Sequence, residues 1–500
     1  MKTIKLIQTT MLSLCASMSI AQAAKQPNII FIMTDDQGYG DLACHGHPFI
    51  KTPNLDKLYS QSTRFTDYHV SPTCAPTRAG LMSGKEPFKV GVTHTILERE
   101  RMALGVTTVA EVLQKAGYKT GIFGKWHLGE EDAYQPGGRG FNEVFIHGAG
   151  GIGQRYEGSQ GDVPGNSYFD PTIRHNGTFV KTKGFCTDVF FSQALGWIKE
   201  QKKDQPFFAY IALNAPHGPF IAPEKYKAMY RGKVKEPAAK AKKAKAGKAG
   251  GDTMAAFFGM ITNVDDNVGR VMEKLEAWGL ADNTLLIFTT DNGSARGARI
   301  FNAGMKGGKG SLNQGGARVP LFFRLPGVTT AGRDLPQLAR HIDILPTFAE
   351  LAGADISKLG LHGRSLMPLV KDPKAEWPDR KLFFHGGRWA KAGSERFGKG
   401  DSNPDNSKYK KFAVRTEKWR LVGTKDLYNI EEDPGEKNNV AEKHPEVVSE
   451  LLKAYDAFWA EARPLMVNED APLDVEKPFE ANYLKQKEAK GIPNWVEPKL

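Results

Sequence analysis

Up to about residue 372, short runs of apolar residues alternate with longer segments in which apolar residues recur every three or four positions. The short runs predict buried strands, and the periodic segments predict amphipathic helices. This alternation is typical of an α/β fold, in which helices cover both faces of a large, mostly parallel sheet. The predicted strands span residues 28–33, 119–123, 207–213, 285–289 and 319–324, and the predicted helices span residues 107–116, 254–275 and 338–351.

The pattern changes after residue 372, where short apolar runs follow one another at hairpin-like spacing. Such spacing predicts an antiparallel sheet, and a periodic segment behind it predicts a helix. We therefore expect a large domain over residues 25–372 and a smaller α+β subdomain, an antiparallel sheet plus a helix, over residues 373–500. The predicted strands of the subdomain span residues 382–384, 412–416 and 419–422, and its helix spans residues 445–462.

The first 24 residues have the pattern of a signal peptide. Lys2 and Lys5 precede a mostly apolar stretch at residues 6–20, and residues 21–23 form an Ala-x-Ala cleavage site. The pattern predicts an exported protein, in a periplasm or secreted to the medium. The sequence has no uninterrupted run of eighteen apolar residues, so we predict no stable membrane anchor.

The formal net charge of +12 is concentrated in one segment of the chain. Residues 231–250 contain eight lysines and arginines against the single acidic Glu236. This composition predicts a solvated insertion, with a tether for a sulfated polymer as the alternative. Because the rest of the chain is not strongly basic, we predict no nucleic-acid partner.

Three cysteines remain once the predicted signal peptide, which contains Cys15, is removed. An odd number of cysteines in an exported protein raises the question of what the unpaired thiol does. If Cys74 is chemically consumed, Cys44 and Cys186 are left, either free or paired.

Polar side chains follow four of the predicted strands at their carboxyl ends. These ends meet at one edge of a parallel sheet, which is where ligands bind in open α/β folds. One polar cluster at such a position carries little weight, but four on one predicted edge indicate a site. The four clusters are Asp35 with Asp36, Lys125 with His127, His217 alone, and Asp291 with Asn292.

Four of these residues offer hard oxygen ligands: Asp35, Asp36, Asp291 and Asn292. Three carboxylates and an amide oxygen suit Ca²⁺ or Mg²⁺ better than zinc or copper, which favour histidine and cysteine. Any one of these residues alone could equally be a helix cap or a turn residue.

The segment Cys74-Ala75-Pro76-Thr77-Arg78 carries the most specific signal. Pro76 suits the first turn of a helix, so Cys74 is predicted at a helix N-terminus, where free N–H groups favour an anion. Cys74-x-Pro76-x-Arg78, with Leu-Met-Ser-Gly after it, resembles the signature of type I sulfatases in the alkaline-phosphatase superfamily. Further segments resemble that family over nearly the whole mature chain, among them residues 121–129, 214–219, 309–311 and 315–320.

Two positions depart from the family pattern. Thr77 stands where the family usually has serine, and Gln314 stands where it commonly has glutamate. Neither departure changes the activity that the resemblance implies.

The resemblance implies that a maturation enzyme oxidises Cys74 to formylglycine, and that one Ca²⁺ per chain is the metal. In its hydrated form, the aldehyde would attack sulfur and later expel the sulfate. The resemblance assigns metal binding to Asp35, Asp36, Cys74, Asp291 and Asn292, charge neutralisation to Lys125 and Lys309, the acid to His217, the base to His127, and support of the nucleophile and metal ligands to Arg78.

Two other functions compete with a sulfatase that acts on a sulfated oligosaccharide or polysaccharide. A phosphonate monoester or phosphodiester hydrolase can share the fold and the Cys-x-Pro-x-Arg signature, although Lys125 and His127 favour the sulfatase. A non-catalytic binder of sulfated glycans would use the lysine-rich segment and an unmodified Cys74.

Overall fold

The computed structural model describes residues 26–95, 100–155, 159–201, 204–233, 253–388, 403–466 and 477–500. The predicted signal peptide at residues 1–24 and most of the basic segment 231–250 lie outside the described residues. The strands are β1 Asn28–Thr34, β2 Thr63–Phe65, β3 Tyr68–His69, β4 Lys119–Lys125, β5 Glu143–His147, β6 Thr172–His175, β7 Thr178–Lys181, β8 Phe207–Ala212, β9 Thr284–Thr290, β10 Leu321–Arg324, β11 Asp334–Leu335, β12 Ala339–Arg340, β13 Leu382–His385, β14 Phe412–Arg415, β15 Trp419–Val422 and β16 Asp426–Asn429. The helices are α1 Pro53–Gln61, α2 Cys74–Ser83, α3 Val109–Lys115, α4 Cys186–Lys199, α5 Glu224–Ala228, α6 Thr253–Ala277, α7 Gln314–Ala317, α8 Ile344–Ala352, α9 Met367–Lys371, α10 Pro445–Ala462 and α11 Pro478–Lys490.

A ten-stranded sheet in the order β11-β2-β10-β9-β1-β8-β4-β5-β6-β7 forms the centre of the larger part. Its five middle strands, from β9 to β5, are parallel. The flanking strand β10 runs antiparallel to β9, and β6 runs antiparallel to β5. The predicted α/β fold is therefore confirmed, with a parallel centre and mixed flanks.

The middle strands are buried on both faces, which explains their uninterrupted apolar sequence. On β1, Ile29, Phe31 and Met33 belong to the core on one side of the sheet. Ile30 and Ile32 belong to the core on the other side, together with residues of α4 and α6. Helices on both faces leave only the edges of the sheet open to ligands.

Two of the predicted helices match the structure closely, and the third begins late. The predicted helices 107–116 and 254–275 correspond to α3 and α6. The prediction for residues 338–351 was wrong at its start, because α8 begins at Ile344. Residues 339–340 instead form a strand that pairs with β3. The Asp343 carboxylate accepts hydrogen bonds from the backbone N–H groups of Arg340 and Arg364, at 2.7 and 3.0 Å. Contacts distant in sequence thus override the local helical pattern.

The C-terminal region contains a separate antiparallel sheet in the order β13-β14-β15-β16, as predicted apart from the additional strand β16. Helix α10 packs on this sheet through an aromatic core. Phe412 stacks on Tyr455 at a ring distance of 4.0 Å, and Phe383 stacks on Phe458 at 4.4 Å. The apolar face of α10 is therefore what holds the small sheet.

The last described residues, 477–500, return to the large sheet. Phe479 and Tyr483 of α11 join its core, and Lys181 of β7 exchanges backbone hydrogen bonds of 2.8 Å with Pro493 and Trp495. The division at residue 372 stays a prediction. Within the described part of the chain, no helix combines the length and apolar character required to cross a membrane.

Candidate active site

The predicted site residues lie together at the carboxyl edge of the parallel strands. Strands β1, β9, β4 and β8 each deliver polar residues at or just beyond their last residue, because all four run in the same direction. Helix α2 and the loop before α7 add the remaining side chains. The residues brought together are Asp35, Asp36, Cys74, Arg78, Lys125, His127, His217, Asp291, Asn292 and Lys309.

Asp35 and Lys125 form a fully buried ion pair. The Lys125 Nζ donates to Asp35 Oδ2 at 2.6 Å, and neither side chain is exposed. Burial and the charge of Asp291 raise the pKa of Asp35 well above its usual range, while Lys125 opposes the shift. Asp35 Oδ1 is buried and has no hydrogen-bond partner among the described residues. Asp35 therefore has one oxygen available for a further cation.

Asp36 is bound through both of its carboxylate oxygens. Its two oxygens lie 2.6 and 2.8 Å from Lys309 Nζ, and Asn292 Nδ2 donates to Oδ1 at 2.9 Å. Burial opposes ionisation, but Lys309 and His217 outweigh it and lower the pKa of Asp36. The backbone of Asp36 has a φ of 67°, a left-handed conformation that is typical of functional turns when a non-glycine residue adopts it.

Arg78 connects the metal-ligand candidates to the strand ends. Its Nε and Nη2 donate to Asp291 Oδ2 at 3.1 and 2.8 Å, a forked arrangement that fixes the carboxylate. The same guanidinium donates to the backbone carbonyls of Lys125 and Leu213. Arg78 is buried, so this network is rigid and sets the position of Asp291 relative to the strand ends.

Cys74 is the first residue of α2 and is 3% exposed. Its Sγ and one carboxylate oxygen each from Asp35 and Asp291 all lie within 4.8 Å of one another. Burial raises the pKa of the thiol to about 11, although Lys125 and Lys309 oppose that shift. Thr77 binds the segment before the cysteine, because its Oγ1 accepts from Ser71 N at 2.9 Å. Threonine at position 77, where the family usually has serine, therefore keeps the hydroxyl group that forms this hydrogen bond.

A divalent cation fits the donor set. Asp35 Oδ1 and Asn292 Oδ1 are buried without a hydrogen-bond partner among the described residues. Carboxylate oxygens of Asp36 and Asp291 lie beside them, since Asp36 N donates to Asp291 Oδ1 at 3.2 Å and Asn292 donates to Asp36. Buried, unpartnered oxygens are costly unless something binds them, and an oxygen-only set suits Ca²⁺ or Mg²⁺.

Glu100 is a site residue that the sequence analysis missed. Its Oε2 lies 2.7 Å from His127 Nε2, and both side chains are buried. A carboxylate accepts a hydrogen bond from an N–H group, so Nε2 of His127 carries the hydrogen and Nδ1 has the lone pair. Nδ1 has no hydrogen-bond partner within the described ranges. Burial and the charges of Lys125 and Arg78 lower the pKa of His127 well below its usual range, which keeps the ring neutral.

A backbone carbonyl, rather than a carboxylate, orients the ring of His217. Its Nδ1 lies 2.7 Å from Gly218 O, so Nδ1 donates and Nε2 has the lone pair in the neutral ring. Nε2 lies 3.8 Å from Asp36 Oδ2. Burial and Lys309 lower the pKa of His217 to about 3. A neutral ring beside two lysines is prepared to gain a proton when a negatively charged ligand enters.

Several other side chains have structural roles. Arg155 forms an ion pair with Glu480, with 2.9 Å between Nε and Oε2. Cys44 and Cys186 are both free, and Cys186 Sγ donates to Asn214 Oδ1 at 3.2 Å. Gln314 begins α7, and its backbone N–H donates to Glu436 Oε2 at 2.8 Å. The two remaining cysteines are thus not joined.

Comparison with known families decides the identity of the fold. A family model described as Sulfatase matches residues 27–354. The chain belongs to the sulfatase family. A second model, described as N-sulphoglucosamine sulphohydrolase, C-terminal, matches residues 309–458 of this sulfatase. The protein is therefore a sulfuric ester hydrolase.

Curated relatives align with most of this sulfatase. Arylsulfatase A of Homo sapiens is 31% identical, with 89% of this chain and 91% of that protein covered. N-acetylgalactosamine-6-sulfatase of Homo sapiens is 29% identical, with 74% of this chain and 70% of that protein covered.

Solved structures give the same fold. The structure of Ps i-CgsB in complex with k-i-k-neocarrahexaose superposes with a TM-score of 0.75 at 27% identity, covering 93% of this chain and 100% of that chain. Phosphonate monoester hydrolase of Agrobacterium radiobacter superposes with a TM-score of 0.61 at 21% identity, covering 88% and 96% of the two chains. The latter likeness shows a shared fold alone.

Proposed function

We propose that this sulfatase removes sulfate from a sulfated oligosaccharide or polysaccharide, using formylglycine made from Cys74 and one bound Ca²⁺. The observation that carries the proposal is the position of Cys74. It begins α2 at the centre of the charged cluster, with ligand atoms of Asp35 and Asp291 beside its sulfur. A nucleophile at this position would attack a sulfate group that lies between the positive charges of Lys125 and Lys309.

The metal would be held by the side chains of Asp35, Asp36, Asp291 and Asn292, together with the residue at position 74. The unpartnered oxygens of Asp35 and Asn292 support this assignment. When bound, Ca²⁺ supplies positive charge beside the sulfuryl oxygens. Lys125 and Arg78 keep two of the carboxylates in place, at 2.6 and 2.8 Å respectively.

The state of Cys74 supports its conversion by a maturation enzyme. A thiol whose pKa is raised to about 11 is protonated at neutral pH, and a protonated thiol is a poor nucleophile. Hydrated formylglycine supplies a hydroxyl that can attack sulfur and a second hydroxyl through which the aldehyde can reform.

The surrounding side chains divide the remaining work. Lys125 and Lys309 stay protonated, because Asp35 and Asp36 outweigh burial and raise their pKa values, and so they neutralise the sulfate oxygens. A sulfate ester brings negative charge that favours protonation of His217, which can then donate from Nε2 to the leaving oxygen. His127 accepts a proton at Nδ1, the atom that Glu100 leaves available.

The substrate class rests on relatives and on the predicted export. The name of N-acetylgalactosamine-6-sulfatase and the neocarrahexaose bound to Ps i-CgsB both refer to saccharides. The signal peptide predicted at residues 1–24 adds that the enzyme meets its substrate in a periplasm or outside the cell. Sulfated carrageenan, ulvan or glycosaminoglycan fragments are therefore the first substrates to test.

The proposal is tested by measuring inorganic sulfate released from a panel of sulfated oligosaccharides. The enzyme is co-expressed with a formylglycine-generating enzyme, Cys74→Ala is the matched control, and peptide mass spectrometry reports the state of residue 74. We expect release by the wild type only, with loss of activity on chelation and recovery with Ca²⁺.

Release that is equal in Cys74→Ala would overturn the role of the cysteine. A matured enzyme that cleaves phosphodiesters or phosphonates in preference to every sulfate would favour the competing hydrolase. If the enzyme released sulfate only from small aryl sulfates, the proposal of a saccharide substrate would be rejected.

A further inference from the structure

A loop over residues 148–155, which we call the glycine loop, forms one wall of the active site. It directly follows β5, so it lies at the same edge of the sheet as the catalytic side chains. A Cβ built on Gly150 would lie 2.6 Å from His127 Nε2, and a Cβ built on Gly151 would lie 2.8 Å from His217 Nδ1. Only glycine lets the backbone approach both imidazoles this closely.

The glycine loop is fixed from behind. The buried carboxylate of Asp162 accepts the N–H groups of Gly148 and Gly153 at 3.0 and 2.7 Å. Glu130, also buried, accepts Ala149 N at 3.1 Å. Phe479 of α11 packs directly on Gly148. With its backbone bound at three points, the loop presents its last side chains in a defined position.

Gln154 is the side chain that this arrangement leaves without a structural role. Its Oε1 lies 3.2 Å from the Cβ position of Gly150, and its Nε2 lies 3.0 Å from that of Gly151. The amide thus lies against the two glycines that pack on the imidazoles of His127 and His217. Gln154 is half-buried, and no described side chain or backbone group hydrogen-bonds to its amide. By contrast, the next residue, Arg155, is committed to Glu480 of α11.

We propose that Gln154 is a specificity-determining residue that hydrogen-bonds to a hydroxyl group of the leaving alcohol. His217, the acid of the proposed function on which this inference rests, must touch the leaving oxygen through Nε2. Gln154 lies against Gly151, which packs on the Nδ1 side of the same ring, so its amide is placed to reach a hydroxyl group farther along that alcohol. The neutral amide of glutamine has one donor group and one acceptor, which match the donor and acceptor of a hydroxyl group. It carries no positive charge that would favour a carboxylate. The leaving groups selected therefore carry a hydroxyl group near the sulfate ester, as a sugar does.

The test compares two substrates in two variants. Gln154→Ala removes the amide, and Gln154→Met keeps its length while removing its hydrogen bonds. Gln205→Ala is the matched control, since Gln205 is also half-buried but precedes β8 at the opposite edge of the sheet. Values of kcat and KM are measured on a sulfated oligosaccharide and on 4-nitrophenyl sulfate, whose leaving group has no such hydroxyl.

We expect both Gln154 variants to lower kcat/KM on the oligosaccharide about tenfold, a loss of about 1.4 kcal/mol, mainly through KM. Activity on 4-nitrophenyl sulfate should stay within about twofold of the wild type, as for Gln205→Ala on both substrates. Equal losses on both substrates would mean that Gln154 only supports the histidines, and unchanged saccharide kinetics would also overturn the inference.

The wild type separates this inference from the proposal on which it rests. A wild-type enzyme that releases sulfate from 4-nitrophenyl sulfate but from no saccharide overturns the proposed substrate class and the role of Gln154 together. A wild type that is active on a saccharide, with Gln154 variants that are equally active, overturns the role of Gln154 alone.

Discussion

The carboxyl edge of the large sheet and the core under α10 both bury large side chains, but they bury different kinds. At the sheet edge, Asp35, Asp36 and Asp291 are buried beside Arg78 and two lysines. Under α10, rings stack at 4.0 and 4.4 Å.

Charge at the sheet edge costs stability unless it is paired, and some of its oxygens have no partner within the described residues. Stacked rings are stabilising in themselves. The contrast teaches that the side chains at the sheet edge are suited to binding and chemistry, whereas the aromatic core under α10 is suited to stability. Substitutions in the two regions should therefore separate activity from folding.

The sharpest separation is expected from Lys125→Ala. The loss of a buried positive charge from the sulfate site should lower kcat/KM by about 10²–10³-fold, as for other groups that stabilise transition-state charge. Lys119→Ala is the control, because Lys119 begins the same strand but is exposed. Steady-state kinetics on any cleaved sulfate ester provide the measurement. Activity within a few-fold of the wild type would contradict the role assigned to Lys125.

The converse is expected from Phe412→Ala under α10. Phe412 is fully buried against Tyr455, so its truncation should lower the free energy of unfolding by about 3–5 kcal/mol. Urea unfolding measures this loss, and the exposed Leu465→Ala should cost less than about 0.5 kcal/mol. The folded variant should keep its kcat, and a large fall in kcat would break the proposed division between the two regions.

Glu100→Gln sharpens the comparison within the active site. Removing the charge that orients and supports His127 should lower kcat about 10²-fold. It should also change the ¹⁵N signals that report the His127 tautomer, in protein with or without a matured Cys74. Glu143→Gln is the control, since Glu143 contacts His175 at the same 2.7 Å but on the sheet flank. Unaltered ¹⁵N signals would show that Glu100 does not set the tautomer.

The smallest effect concerns His385 in the C-terminal region. Burial lowers its pKa to about 4, below the value of about 6.5 in an unfolded chain. Between these values the unfolded state binds more protons, so stability falls as the pH drops from about 6.5 to 4. His385→Asn should reduce that slope by up to about 1.4 kcal/mol per pH unit. Equal slopes in unfolding experiments at several pH values would contradict this prediction.

Much of the fold follows from local sequence. Four of the five middle strands of the large sheet were predicted within two residues at their ends, because the sheet buries both of their apolar faces. The fifth, β5, was not predicted, since its apolar run is only the three residues 144–146. The antiparallel direction of β10 could not be predicted, since nothing in its apolar sequence encodes direction. The late start of α8 depends on Asp343 and on β3, which lies far away in the chain.

The site shows the same limit. Residues at strand ends and in recognisable motifs could be found from the sequence. Glu100 and Gln154 could not, because they belong to the site only through loops that fold back onto His127 and His217. Gly150 and Gly151 lie in a glycine-rich run, Gly148–Gly153, which was the one available signal.

The packing of α11 against the glycine loop has a consequence for biosynthesis. Arg155 and Glu480 are separated by 325 positions, and Phe479 supports Gly148 from a similar distance. At about 5–20 residues per second, a ribosome needs on the order of tens of seconds to pass from one to the other. From the synthesis of His217 onward, the nascent chain contains Cys74 and both histidines, but not yet the helix that supports the glycine loop beside them. The wall beside the histidines is thus completed only after α11 has been synthesised.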